Sequence, residues 1–334
     1  MKLFLGPEIS QMFWRLVYPL DRKPCWPAPV EGVGECACRA AEVRELLPSW
    51  VDACLEQSGA LLDVLSFDSS RRRATASTVA RVWGTEVPEG SFFEFGNGVV
   101  VPSPCFTFLL MAKQLSLPEL VAYGDELCGL YAFDKKSPRG MRQREVPLVS
   151  LSELGRYLNG VNGSPGLRLA RKALPLIVEG SASPMETVDV MLLCLPVRHG
   201  GYGLPVADMN LEVPLGRLAA SIANKQTCRG DLCWLDEHLI VEHQGLYDHD
   251  NSNAYSSDRA RIDALKAEGY NVLELTSSIV HDLNAFEGIA LYVARVLGKQ
   301  IRGEYKGRIS QRLALRQSLF GWNERSGLVK RSEC

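Results

Sequence analysis

The sequence predicts a mixed α/β (α+β) protein: a small α+β domain, followed by a mixed sheet flanked by helices. Three observations predict this class. In 334 residues, 46% hydrophobic and 23% charged side chains supply enough apolar material for more than one core. Two short apolar runs, 91–95 and 99–101, flank Gly96-Asn97-Gly98, a strong hairpin signal. From about residue 165 the apolar period alternates between helix and strand in the order α-β-β-β-α-β-α.

Taken in order, residues 1–50 hold a short helical stretch and a loop rich in Pro and Gly (Pro24, Pro27, Pro29, Gly32, Gly34). A helix is expected over about 37–57, then strands at 61–67 and 78–83, the hairpin, and helices opened by Pro104 and Pro118. These complete a first domain, 1–130. Residues 131–164 read as an exposed connector, because 134–147 carries Asp134, Lys135, Lys136, Arg139, Arg142 and Arg144 among few apolar residues. Gly160, Gly163 and Gly166 lack the strand and the Gly-Lys-Ser/Thr of a phosphate loop, so they read as a link between helices. The second domain, 165–298, has helices at 167–179 and 184–195, strands at 209–215, 230–235 and 238–244, a helix at 257–268, a strand at 270–276 and a helix at 278–297. A basic tail, 299–334, closes the chain.

Several function classes fall away. The apolar run 188–197 is too short to span a membrane and contains Asp189. The N-terminus is interrupted by Pro7, Glu8 and Arg15 and does not read as a signal peptide. Ten scattered cysteines suit reduced core thiols in a cytoplasmic protein better than a disulfide framework. Neither Cys25/Cys36/Cys38 nor Cys228/Cys233 has the paired spacing of a zinc site. There is no G-x-S-x-G elbow, Walker loop or H-E-x-x-H helix.

One strand carries chemistry. In 238–244, alternation sends Leu239, Val241 and His243 to one face and Ile240, Glu242 and Gln244 to the other. The short turn at Asp236-Glu237 makes this strand a hairpin partner of 230–235, so Asp231 and Glu242 can meet across the ladder. Two carboxylates held together repel unless a cation lies between them or one is protonated. Mg²⁺ (or Mn²⁺) on Asp231 and Glu242 answers that need, since it binds oxygen and keeps waters for chemistry. Glu186 follows Ser183-Pro184, which reads equally well as a helix-capping box.

Asp231, ten residues and then Glu242-His243-Gln244 resemble the D…E-x-K core of the PD-(D/E)xK nucleases, with Glu186 similar to the acidic helix position of that fold. Arg229/Asp231, Glu242/Gly245, His249, Asp258/Arg261, Leu265 and Gly269-Tyr270-Asn271-Val272 resemble the branch similar to very-short-patch-repair endonucleases. The resemblance spans about 165–297. It implies a restriction-endonuclease-like domain with Glu186, Asp231, Glu242 and Gln244 as catalytic residues, His249, Asp258 and Arg261 as auxiliaries, and DNA as substrate. Residues 61–130 resemble the C-terminal region of AbiEi-like antitoxins. That implies a setting in bacterial defence or toxin–antitoxin biology and a partner protein for the first domain. Two positions depart from the pattern: Gly230 replaces a proline, and Gln244 replaces the lysine that holds positive charge at the scissile phosphate. Arg261 or Lys266 could supply that charge. The alternative function is a decayed nuclease fold that regulates by binding DNA or protein.

Net charge is −2, which by itself demands no nucleic-acid partner. Yet residues 295–331 carry ten basic residues against Glu304 and Glu324. Lys299, Arg302, Lys306, Arg308, Arg312 and Arg316 are therefore candidate phosphate contacts, or else a solvated helix face.

Overall fold

The computed structural model describes residues 1–19, 36–59, 61–71, 78–244, 252–301 and 306–326. The Pro/Gly-rich loop, Cys25, Arg302, Tyr247 and His249 lie outside these, as do the side chains of Asp258 and Lys306. The chain divides into two compact units, Met1–Ile177 with Gly321–Cys334, and Val178–Phe320.

The first unit is α+β. Its strands are β1 (Leu3–Phe4), β2 (Leu62–Ser66), β3 (Thr78–Val82), β4 (Phe92–Glu94), β5 (Val99–Pro102), β6 (Tyr131–Phe133) and β7 (Met141–Gln143). Its helices are α1 (Pro7–Met12), α2 (Ala40–Leu46), α3 (Trp50–Ser58), α4 (Pro104–Met111), α5 (Leu117–Leu127), α6 (Leu151–Gly160) and α7 (Leu167–Ala173). The expected hairpin is β4–β5, antiparallel, with Asn97 at φ 50° in its turn. The expected helix 37–57 is two helices, because Pro48 cannot continue the first. Ser116/Glu119 and Ser150/Glu153 form capping boxes that start α5 and α6. Phe4, Phe92, Phe106 and Trp83 pack edge to face in the core.

The division differs from the sequence expectation. Residues 131–164 form the β6–β7 hairpin and α6, and α7 belongs to the first unit, so the break falls at 177/178. The connector reading fails because Arg144 is buried, its Nε donating to the Tyr131 carbonyl at 3.1 Å and its Nη2 to the Trp14 carbonyl at 2.7 Å. An arginine satisfied by carbonyls can enter a core that its charge alone would forbid.

The second unit opens with α8 (Pro184–Cys194). Its described strands, β8 (Asp208–Pro214), β9 (Thr227–Trp234), β10 (Leu239–Gln244) and β11 (Asn271–Thr276), form one mixed sheet in the order β11-β10-β9-β8. β10 and β11 are parallel, and α10 (Ser252–Ala267) makes the crossover that parallel strands require. α9 (Arg217–Ala223), α11 (Ser277–His281), α12 (Leu283–Val296) and α13 (Lys306–Ser326) are its other described α-helices, the residues of α13 from Gly321 onward belonging to the first unit. The expected helix 278–297 is broken at Asp282, whose Oδ1 caps α12 by accepting from the backbone N–H groups of Asn284 and Ala285. One sheet face packs Ile240, Cys233, Val213 and Val272 against Ile262 and Leu265 of α10. α8 packs on β9 and β10 from the face that holds His243.

Cysteines 36, 38, 54, 105, 128, 194, 228 and 233 are free thiols. No helix among the described residues is long and apolar enough to cross a membrane.

Candidate active site

The site lies where the second unit's sheet forks. The β9–β10 ladder pairs Leu239 with Trp234, Ile240 with Cys233 and Val241 with Leu232, and ends there. Beyond it β10 stays with β11 as far as Gln244, and β9 stays with β8 as far as Thr227. The next pair in register would be Glu242 with Asp231. In its place the Asp231 side chain fills the gap, Oδ2 accepting the His243 backbone N–H at 2.8 Å. The aspartate thus takes over a ladder hydrogen bond, which fixes its carboxylate between the diverging strands. A side chain at Gly230 would meet Cys233 Sγ at 2.7 Å and Ile240 Cγ2 at 2.9 Å, so glycine is what this packing admits.

The alternation expected for β10 holds. Glu242, 1% exposed, shares its side with Ile240 and meets α10, where Arg261 Nη1 donates to its Oε2 at 2.5 Å and to the Arg229 carbonyl at 2.9 Å. Its other oxygen, Oε1, is buried with no hydrogen-bond partner among the described residues. His243 turns to the α8 side and pairs with Asp189, Nδ1 to Oδ2 at 2.7 Å. Glu186, in the first turn of α8, is buried as well. Ser183 Oγ accepts the Glu186 backbone N–H at 3.1 Å, so the serine half of the capping box is present. The Glu186 carboxylate instead binds the Ala182 N–H at 2.8 Å and the Asn210 amide at 2.6 Å.

Electrostatics link these acids. Burial, then the charge of Asp231, pushes both Glu186 and Glu242 up to about 8. Burial also raises Asp231, against the pull of Arg261 and of the His243 N–H. Asp189 is raised by burial and held back by His243. For His243 burial acts downward, but Asp189, then Asp231 and Glu186, outweigh it and raise the imidazole. Asp231 is therefore the hub: Glu242 and Arg261 act on or feel it from the α10 side, Glu186 and His243 from the α8 side.

Among the described residues, no three His, Cys, Asp or Glu side chains stand as a ready metal-holding group. The donor types still fit a hard cation: two carboxylates at the end of the β9–β10 ladder, one with an unpartnered buried oxygen. Gln244 is not directed at those acids. Its amide donates to Glu274 on β11, which Lys266 also approaches at 3.5 Å. Of the two basic residues expected to replace the lysine, Arg261 reaches the acids and Lys266 does not.

The basic segment needs correcting. Arg312 and Arg316 are buried, not displayed to phosphate. Arg312 lies 3.8 Å over the Tyr202 ring and 3.4 Å from Glu287, and Arg316 lies over Phe286 and donates to the Val280 carbonyl. Burial lowers the pKa of Arg316. Aromatic faces and carbonyls draw guanidinium groups into the fold. Lys299 is exposed and Arg308 is half-buried. Sequence reasoning missed Asp189, Asn210 and Glu274. An acid three residues beyond Glu186 in an otherwise apolar helix was the available signal for Asp189.

Comparison with protein-family models, curated proteins and solved structures finds no match.

Proposed function

We propose that the second unit is a metal-dependent nuclease of the PD-(D/E)xK type, hydrolysing phosphodiester bonds of DNA, with Asp231 and Glu242 holding Mg²⁺ (or Mn²⁺). One observation carries this reading. The forked sheet gathers Asp231, Glu186 and Glu242 in a buried setting with an excess of carboxylates, and Glu242 Oε1 has no partner. Such a set is stabilised by a cation or by protons. A bound Mg²⁺ would polarise the scissile phosphate and acidify a water. Glu186, raised to about 8, carries a proton at neutral pH; a cation beside Asp231 would lower it and leave a carboxylate able to take the proton of the attacking water. Arg261, beside Glu242, offers the positive charge that Gln244 lacks. The resemblance adds a setting in bacterial defence or toxin–antitoxin biology and a protein partner for the first unit, and the free thiols fit a cytoplasmic one.

A second reading, the regulator on a decayed nuclease fold, is favoured by the Gln244–Glu274 bond and by Arg261 already neutralising Glu242. Plasmid nicking separates the two. The nuclease reading expects Mg²⁺-dependent nicking that Asp231→Asn or Glu242→Gln abolishes. Gln244→Ala should cost less than either, and Gln244→Lys should keep or raise the rate. Nicking that survives unchanged in Asp231→Asn would remove the assignment.

A further inference from the structure

We infer that Asn210 is a positioning residue of the site: its amide holds Glu186 beside Asp231, and its backbone opens the fork in which Asp231 sits. The consequence for activity rests on the nuclease reading above, whereas the contact rests on geometry alone.

Asn210 lies in the middle of β8 at φ 53°. That is left-handed backbone inside a strand, a conformation asparagine tolerates better than most side chains. The ladder records the kink. Met209 pairs with Leu232 and Leu211 with Gly230, but the ladder passes over Asn210 and Asp231 between them. The same step at which β9 leaves β10 is thus the step at which β8 leaves regular pairing with β9. Asp231, relieved of its place in both ladders, turns its carboxylate to the His243 N–H.

The side chain does the second task. Asn210 Nδ2 has two hydrogens, and both are committed: one to Glu186 Oε2 at 2.6 Å, one to the Gly180 carbonyl at 3.0 Å. The Ala182 N–H reaches the same Glu186 oxygen at 2.8 Å. The segment leading into α8 and the acid in its first turn are therefore tied to the strand opposite Asp231. Without this tie Glu186 would be free to turn away from a neighbour whose charge repels it. Neither glycine nor aspartate can replace the amide: glycine keeps the backbone and loses the donor, and aspartate keeps the shape and turns the donor into an acceptor.

The test uses the whole chain as Asn210→Gly and Asn210→Asp, alone and combined with Glu186→Gln. Plasmid KM should stay near wild type in Asn210→Gly and the melting temperature should fall by no more than a few degrees, because glycine accepts φ 53° and only the amide's two hydrogen bonds are lost. kcat for Mg²⁺-dependent nicking should fall about 10- to 100-fold in both variants, the usual cost of losing a supporting hydrogen bond. Adding Asn210→Gly to Glu186→Gln should cost little beyond Glu186→Gln alone, since Asn210 acts through Glu186. A kcat within about twofold of wild type, or losses that multiply, would overturn the inference. Should wild type itself fail to nick, the nuclease reading falls and the contact is judged by ¹⁵N NMR. The Asn210 side-chain amide, assigned by its loss in Asn210→Asp, should exchange slowly with solvent and be released by Glu186→Ala. Exchange unaltered by Glu186→Ala would sink the contact too.

Discussion

The two units bury charge in opposite ways. In the first, Arg15 grips Glu126 with two parallel hydrogen bonds, Nε to Oε1 at 2.7 Å and Nη2 to Oε2 at 2.5 Å, over the rings of Phe133 and Trp322. Arg144 adds a second buried guanidinium nearby. Arg15 and Glu126 are matched within the fold and Arg144 is satisfied by carbonyls, which is the signature of structural burial. In the second, Glu186, Asp189, Asp231 and Glu242 face Arg261, His243 and, from Asp189, Arg316, yet all four carboxyls are held above their ordinary range by burial. Unmatched acids cost stability, and strongly raised carboxyls cluster at functional sites. The difference teaches that burial of charge by itself says little, and the imbalance says more.

The largest expected effect breaks the matched pair. Glu126→Ala leaves Arg15 buried and unpaired and should lower stability by about 3–5 kcal/mol in urea unfolding. A loss under about 1 kcal/mol would make the first unit's pair as dispensable as a surface bridge.

A pH series sharpens the other half. Glu186 and Glu242 titrate near 8 folded and near 4.5 unfolded, so the fold holds protons the open chain would release. Their contribution is complete below about 4.5 and is lost as pH rises through about 8. Asp63, raised to about 6, works in the same direction from the first unit. The metal-free melting temperature should fall from pH 5.5 to 8.5, and the double variant Glu186→Gln, Glu242→Gln should flatten the upper part of that slope. An equal slope in the double variant would assign the pH dependence elsewhere.

A smaller effect concerns the basic segment. Arg312→Ala should destabilise by about 1–3 kcal/mol through the lost contact with Tyr202 and Glu287. It should leave the salt dependence of DNA binding unchanged, whereas Lys299→Glu can reduce it by about one phosphate contact. A flattened slope in Arg312→Ala would return that arginine to the nucleic-acid surface.

How far the sequence discloses all this depends on the physics of each element. β10 and its hairpin with β9 are legible because period-2 alternation survives in Leu239–Gln244. Glu242 stands out for the same reason, as an acid closing an apolar strand. α9 is not legible: Leu218 is 70% exposed on it, so its apolar pattern does not mark a buried face. The fold of the basic segment is hidden because arginine reads as solvent-facing, and only tertiary partners such as Tyr202 and Phe286 draw it inward. Asn210 is hidden because nothing local announces a left-handed residue in mid-strand. Asp189 was in view only as a flaw in an apolar run, and its partner His243 lies 54 residues away.

The proposal that Asp231 and Glu242 hold a divalent cation is the one to test most directly, since the acids around Asp231 are raised by burial and by one another. The direct measurement is calorimetric titration of Mn²⁺ into the whole chain at pH 7, in two buffers of different ionisation enthalpy. The account predicts saturable binding accompanied by proton release, because a metal displaces protons from acids that titrate near 8. It predicts that Asp231→Asn and Glu242→Gln each lose that binding while the protein stays folded. Wild-type protein that takes up no Mn²⁺, or binding that persists unaltered in both variants, would contradict it.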